Sequence, residues 1–227
     1  MRSAFTVKLL RSGKELDDRY VLSGVLILVS IGVFAFAGDG PVGRTIVVAF
    51  QGITMLEILH TSRARPRTIR IVAVLTLLAV LGVLWSANFD SKIAHAAPFL
   101  IAALLALGAP FVILRRLVQQ AEIDFRTVAG ALCIYLLAGL FCALVYGTMN
   151  ALQKPFFVQP GTGGSADFVY YSFVTLTTVG YGDLTSRTNL GHISSIFESL
   201  FGQLYLVSVV ALLVANLGRP RPRRNIT

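Results

Sequence analysis

Six apolar runs, separated by polar and basic segments, organise the chain. They fall near Val21–Ala37, Val42–Leu59, Ile69–Ala87, Ala94–Leu114, Thr127–Met149 and His192–Leu217. Each is close to the roughly 20 residues that a helix needs to cross the hydrocarbon of a bilayer. The second is the least apolar, because it carries Gln51 and Glu57. A further apolar stretch, about Asp167 to Thr177, is too short to span. It follows a loop containing Pro155, Pro160, Gly161, Gly163 and Gly164, and it runs directly into a glycine-bearing turn. That pattern predicts a re-entrant helix, with Ser165 or Asp167 capping its start. The expected fold is therefore an all-α membrane protein with six transmembrane helices and a re-entrant helix between the fifth and sixth. No internal repeat is visible.

Composition agrees: mean hydropathy is +0.73 and only 14% of residues are charged, which points away from a soluble domain. The net charge of +9 would suit nucleic acid in a soluble protein, but its distribution speaks for a membrane. With the N-terminus inside, sixteen of the 20 Lys and Arg residues fall in cytoplasmic segments; Arg44, Lys92, Lys154 and Arg187 remain outside. This asymmetry predicts both termini in the cytoplasm and the loop before the sixth span outside. The first apolar run starts after some twenty polar-rich residues and reads as a retained signal anchor. Cys133 and Cys142 stand nine residues apart on one predicted helix, on opposite faces, so they cannot bridge. His60, His95 and His192 are isolated near span ends, which disfavours an enzyme or a coupled transporter, where intramembrane clusters of titratable groups are expected.

The turn itself reads Thr177-Thr178-Val179-Gly180-Tyr181-Gly182-Asp183. A cation leaving water needs a replacement for its hydration shell, and rings of backbone carbonyls provide one. Gly180 and Gly182 supply backbone angles that a Cβ disfavours, while Val179 and Tyr181 brace the strand. The stretch resembles the potassium-channel signature, and six spans with one such loop resemble bacterial members of the voltage-gated-like cation channel superfamily. The resemblance implies K+ coordination by Thr178, Val179, Gly180, Tyr181 and Gly182, with Thr177 and Asp183 as support. One loop per chain cannot close a ring, so four copies, a homotetramer, are expected. By the same resemblance Tyr170 and Tyr171 form an aromatic cuff with Tyr181, and Asp183 accepts a hydrogen bond from Tyr170. The C-terminal end of the re-entrant helix would favour a cation at the cavity.

In the sixth span, Glu198 is the costliest side chain to place in a bilayer. It is expected behind the filter, against the re-entrant helix, with Ser172 or Thr175 as partner. The run from Glu198 to Tyr205 resembles inner helices of bacterial channels with an E-x-x-x-G-Q-L-Y pattern. Gly202 reads as a gating hinge or as a close helix contact; both stay open. Gln203, Leu206, Val210 and Val214 then face the cavity.

The resemblance fails in the fourth span. A voltage sensor needs several charges in the field, each gaining ~2.3 kcal/mol per 100 mV. Ala94–Leu114 contains no arginine, and Arg115 and Arg116 sit together at its cytoplasmic end. The expectation is a voltage-sensor-like bundle over residues 1–118 without strong voltage sensing, with Glu57 pairing with one of these arginines or reaching water. A linker (119–126), a pore domain (127–217) and a basic cytoplasmic tail (218–227) complete the organisation. Arg219, Arg221, Arg223 and Arg224 are expected to meet anionic lipid headgroups, each worth ~1 kcal/mol near the surface. No sensing domain is expected after the pore. The reading is a passive potassium-selective channel of the plasma (inner) membrane, not an enzyme and without a cofactor other than the permeant ion. The rival is an auxiliary subunit that regulates other channel chains.

Overall fold

The computed structural model describes residues 22–38, 40–61, 65–86, 91–119, 125–153 and 155–216. The basic N-terminal segment, most of the linker, Lys154 and the C-terminal tail lie outside the described residues. So do the side chains of Arg115 and Arg116, and with them the expected pairing of Glu57. The described chain is helical: α1 (Leu22–Phe36), α2 (Pro41–Thr61), α3 (Pro66–Ser86), α4 (Lys92–Gln119), α5 (Phe125–Leu152), α6 (Ser165–Leu176) and α7 (Asn189–Leu204). A π-helical turn, Tyr205–Val210, carries α7 into a last short helix, α8 (Ala211–Ala215). No strand occurs among the described residues; the one extended contact is an isolated bridge between Phe157 and Ser186.

Five of these helical segments are long and apolar enough to cross a membrane, and α1 is a shorter apolar helix. Their apolar residues lie all round, as a lipid-facing helix requires. α3 is the most peripheral: Ile71, Val74, Leu75, Leu77, Leu78 and Leu81 are all exposed, and only Val83 and Thr76 are buried on it.

α4 and α5 form the seam of the molecule. Ala96, Ala102, Ala103, Ala106 and Ala109 of α4 are buried, as are Ala131 and Ala143 of α5. Small residues let two apolar helices approach closely, which is the main source of attraction between helices surrounded by lipid. Gly147 meets the ring of Phe99 in the same way: a Cβ there would lie 3.0 Å from the ring. One buried cluster runs without a break from Phe34 and Val48 in α1 and α2, through Phe99 and Ala106 of α4 and Leu144 of α5, to Phe168 and Tyr171 of α6. Between α1 and α2 the Ser30 and Thr54 hydroxyls pair at 2.9 Å.

Candidate ion pathway and its supports

The approach to α6 is fixed by backbone pairing. In the last turn of α5, Asn150 accepts from the Phe156 N–H through Oδ1 at 3.0 Å. Phe156 accepts from Arg187 N at 2.7 Å, and Val158 N donates to the Thr185 carbonyl at 3.0 Å. Gln159 closes the pair from both ends, receiving Thr185 N on Oε1 at 3.0 Å and donating Nε2–H to Thr185 Oγ1 at 3.1 Å. The segments before α6 and after the glycine turn are thereby stitched together. Phe156 and Phe157 pack edge-on to each other (4.9 Å) and insert against Phe168 and Tyr171.

The cap of α6 differs from expectation. Gly164, not Ser165 or Asp167, is the capping residue, and Ser165 opens the helix. Asp167 still serves the helix start by reaching back. Its Oδ2 accepts from the N–H groups of Gly163 (2.7 Å) and Gly164 (3.0 Å). A carboxylate in the first turn satisfies donors that the helix leaves free and sits well in the positive end of the dipole.

Beyond α6 the backbone changes hand at alternate residues. Thr178, Gly180 and Gly182 have φ of 59°, 58° and 79°. The glycines take this region freely. Thr178 does so against its Cβ, and it is the one non-glycine among the described residues with positive φ. Such a residue marks a backbone held in place by its surroundings. The holding bonds are visible: Thr178 N donates to the Thr175 carbonyl (3.0 Å) and Val179 N to the Val174 carbonyl (3.0 Å). Thr177 sends its hydroxyl back to Phe173 O at 2.6 Å. All residues from Thr177 to Asp183 are exposed in the single chain, including Val179 (52%) and Tyr181 (69%). The side chains that should brace the strand thus have open faces.

Tyr170 and Tyr181 stack with nearly parallel rings, 6.3 Å apart at 5°. The Tyr170 hydroxyl donates to Asp183 Oδ2 at 2.7 Å, and Oδ1 of the same carboxylate receives Leu184 N at 3.1 Å. Tyr171 corrects the expected cuff. It turns away from Tyr181 and is buried against Tyr146, Phe156 and Phe157, and its hydroxyl pairs with Ser195 Oγ at 2.8 Å. Adjacent helical residues point about 100° apart, so only one of the two tyrosines can face the turn.

Glu198 is 3% exposed and lies at the junction of three helices. Ser172 of α6 contacts Oε1, and Tyr146 of α5 contacts Oε2 at 2.6 Å. Ser172 also reaches the Gly139 carbonyl of α5 at 2.7 Å. Of the two expected partners, Ser172 is found; the Thr175 carbonyl receives Ser199 Oγ instead, at 3.1 Å. Tyr146 escaped the sequence reading. The signal was depth: Tyr146 lies six residues before the end of α5 and Glu198 nine residues after the start of α7, at matching levels for antiparallel neighbours.

Gly202 is buried against the end of α6. A Cβ on it would lie 2.1 Å from the Leu176 carbonyl oxygen, so the absence of a side chain there serves close contact. The irregularity in the helix begins three residues later, with the π turn Tyr205–Val210. Tyr205 anchors that turn to α5: its hydroxyl donates to Ala131 O at 2.8 Å and its ring stacks on Tyr135. Tyr135 in turn donates to Leu176 O at 3.3 Å. Gln203 is exposed, and Leu206 and Val210 are half-buried. No group of His, Cys, Asp and Glu suited to a metal ion occurs among the described residues.

Residues 131–219 match the model of a family described as ion channel, and this range takes in most of α5, α6, the glycine turn and α7. Over 89 residues the chain is 35% identical to the hyperpolarization-activated voltage-gated potassium channel of Methanocaldococcus jannaschii. The similarity covers 39% of this chain and 37% of that protein, so the chain spans well under half of the relative it matches. No solved structure matches. What these findings show is similarity of residues 131–219 to an ion-channel family. Among curated proteins the similarity is to a potassium channel.

Proposed function

We propose that the chain is the subunit of a potassium-selective channel that conducts passively through a pore built from four copies of Thr178–Gly182. The observation that carries this reading is the alternation of backbone hand at Thr178, Gly180 and Gly182, directly beyond a re-entrant helix. Reversing the sign of φ at every second residue lets successive carbonyls turn to one side, as a carbonyl-lined ion path requires. Asp183 and Tyr170 brace its outer end; Gln203, Leu206 and Val210 line the cavity beneath. The open faces of Val179 and Tyr181 support a tetramer, because neighbouring copies would cover them. The pore domain spans residues 127–217, and residues 1–118 form a sensor-like bundle without strong voltage sensing. The chain lies in the plasma (inner) membrane with both termini cytoplasmic, and its basic tail meets anionic lipid.

The test is current from purified full-length protein in planar bilayers with unequal K+ and Na+ across the membrane. A reversal potential close to the K+ equilibrium value is expected. A reversal potential that ignores the K+ gradient overturns selectivity, and silence of the chain alone turns the reading towards an auxiliary subunit.

A further inference from the structure

The junction around Glu198 contains three short oxygen–oxygen contacts: Tyr146 to Oε2, Ser172 to Oε1 and Ser172 to the Gly139 carbonyl. Each contact at such distances requires a proton between the oxygens. The two hydroxyls bring two protons, and the carbonyl brings none. A third proton is needed, and the carboxyl group is the remaining source. From this count we propose that Glu198 is held as the neutral acid, and that its proton completes a clamp fixing α6 between α5 and α7. In the completed arrangement Tyr146 donates to one carboxyl oxygen, the other donates to Ser172 Oγ, and Ser172 donates to Gly139 O.

The surroundings agree with a neutral group. The residues that bear on Glu198 are Ser172, Tyr146 and Cys142, with the Tyr135 phenol of α5 near enough to feel its charge. None is a cation. From α4 come Leu107, Pro110, Phe111 and Leu114, all apolar, across a cavity of about 560 Å³. A carboxylate in an apolar site without a counter-charge is strongly disfavoured. As the neutral acid, Glu198 acts as a positioning residue. It touches no ion, but it sets the seat of the helix that carries the conducting turn. Loss of its proton would leave Ser172 with one donor for two acceptors, so that its hydroxyl would bond either Gly139 of α5 or Glu198 of α7 but not both.

The effect on current rests on the channel reading; the protonation state does not, and the two are tested separately. Infrared difference spectra of full-length wild type and Glu198→Gln in lipid at neutral pH address the proton directly. A carboxylic-acid C=O band that is lost in the variant is expected; carboxylate bands alone overturn the proposal. In bilayers, Glu198→Gln is expected to keep wild-type K+ current, because the amide donates to Ser172 and accepts from Tyr146 as the neutral acid does. Wild type is expected to lose current at alkaline pH, as Glu198 gives up its proton, and the Gln variant is expected not to. Glu198→Ala, which leaves both hydroxyls short of a partner, is expected to lower the current about tenfold. A Gln variant as weak as the Ala variant, or one with the wild-type pH profile, overturns the clamp. A carboxylic-acid band in a protein that passes no K+ leaves the clamp standing and removes the channel.

Discussion

At the scale of single residues, the glycine turn depends on side chains that do not belong to it. Tyr170 ties the outer end of the turn to α6, stacking on Tyr181 and bonding Asp183. Tyr170→Phe keeps the stack and removes the bond. The expected outcome is unchanged K+ preference with a faster decline of current during sustained opening, read in macroscopic recordings. An unaltered decline would show that Asp183 is held by Leu184 N alone. The motif made the glycines of the turn legible, because left-handed backbone is what glycine is for. It gave no hint that Thr178 joins them at φ 59°. That angle is imposed by the bonds from Thr178 and Val179 to the end of α6, which no local preference of threonine encodes. Tyr171 was misplaced for a related reason. The resemblance gives both tyrosines to the cuff, but the face each occupies follows from one helical step.

At the scale of elements, the joint between α6 and α7 is a contact of backbone on backbone. Gly202→Ala would drive a methyl into the Leu176 carbonyl. Overpacking of this kind costs about 1–3 kcal/mol, and here one side of the clash is the main chain. A lower unfolding temperature in detergent is expected, and an equally stable variant would show that the helices can part. Sequence reading left hinge and contact open at Gly202, since a glycine satisfies either. The geometry favours the contact and moves the break in regularity to Tyr205–Val210, where π-helical turns commonly mark functional places. That stretch holds neither Gly nor Pro, so nothing local announced it. The helices themselves were legible, with most ends within a few residues, because every backbone group in hydrocarbon must be satisfied within its own segment; of the six expected spans, five are long and apolar enough to cross a membrane among the described residues, and α1 is shorter. Hydropathy alone therefore decides them.

At the scale of the whole molecule, the buried cluster joins α1 and α2 to α6 through the α4–α5 seam, so the first four helices and the last ones share one core. The fourth helix nevertheless carries no charge between His95 and Arg115. The expected conductance–voltage curve is shallow, with an apparent gating charge well below one per subunit, as voltage-step recordings would show. A steep curve would demand charges that this helix does not have. How the helices are brought together was the part least legible in the sequence, because contacts such as Tyr146–Glu198 and Tyr205–Ala131 span 52 and 74 positions. Those separations have a bearing on biosynthesis. An acidic side chain at mid-bilayer costs about 3 kcal/mol to insert alone. Tyr146 and Ser172 both precede Glu198 in the chain, so the nascent protein places the two hydroxyls in the membrane before the acid arrives. The last long helix enters a bilayer that already holds its solvation, and the order of residues along the chain becomes the order of assembly.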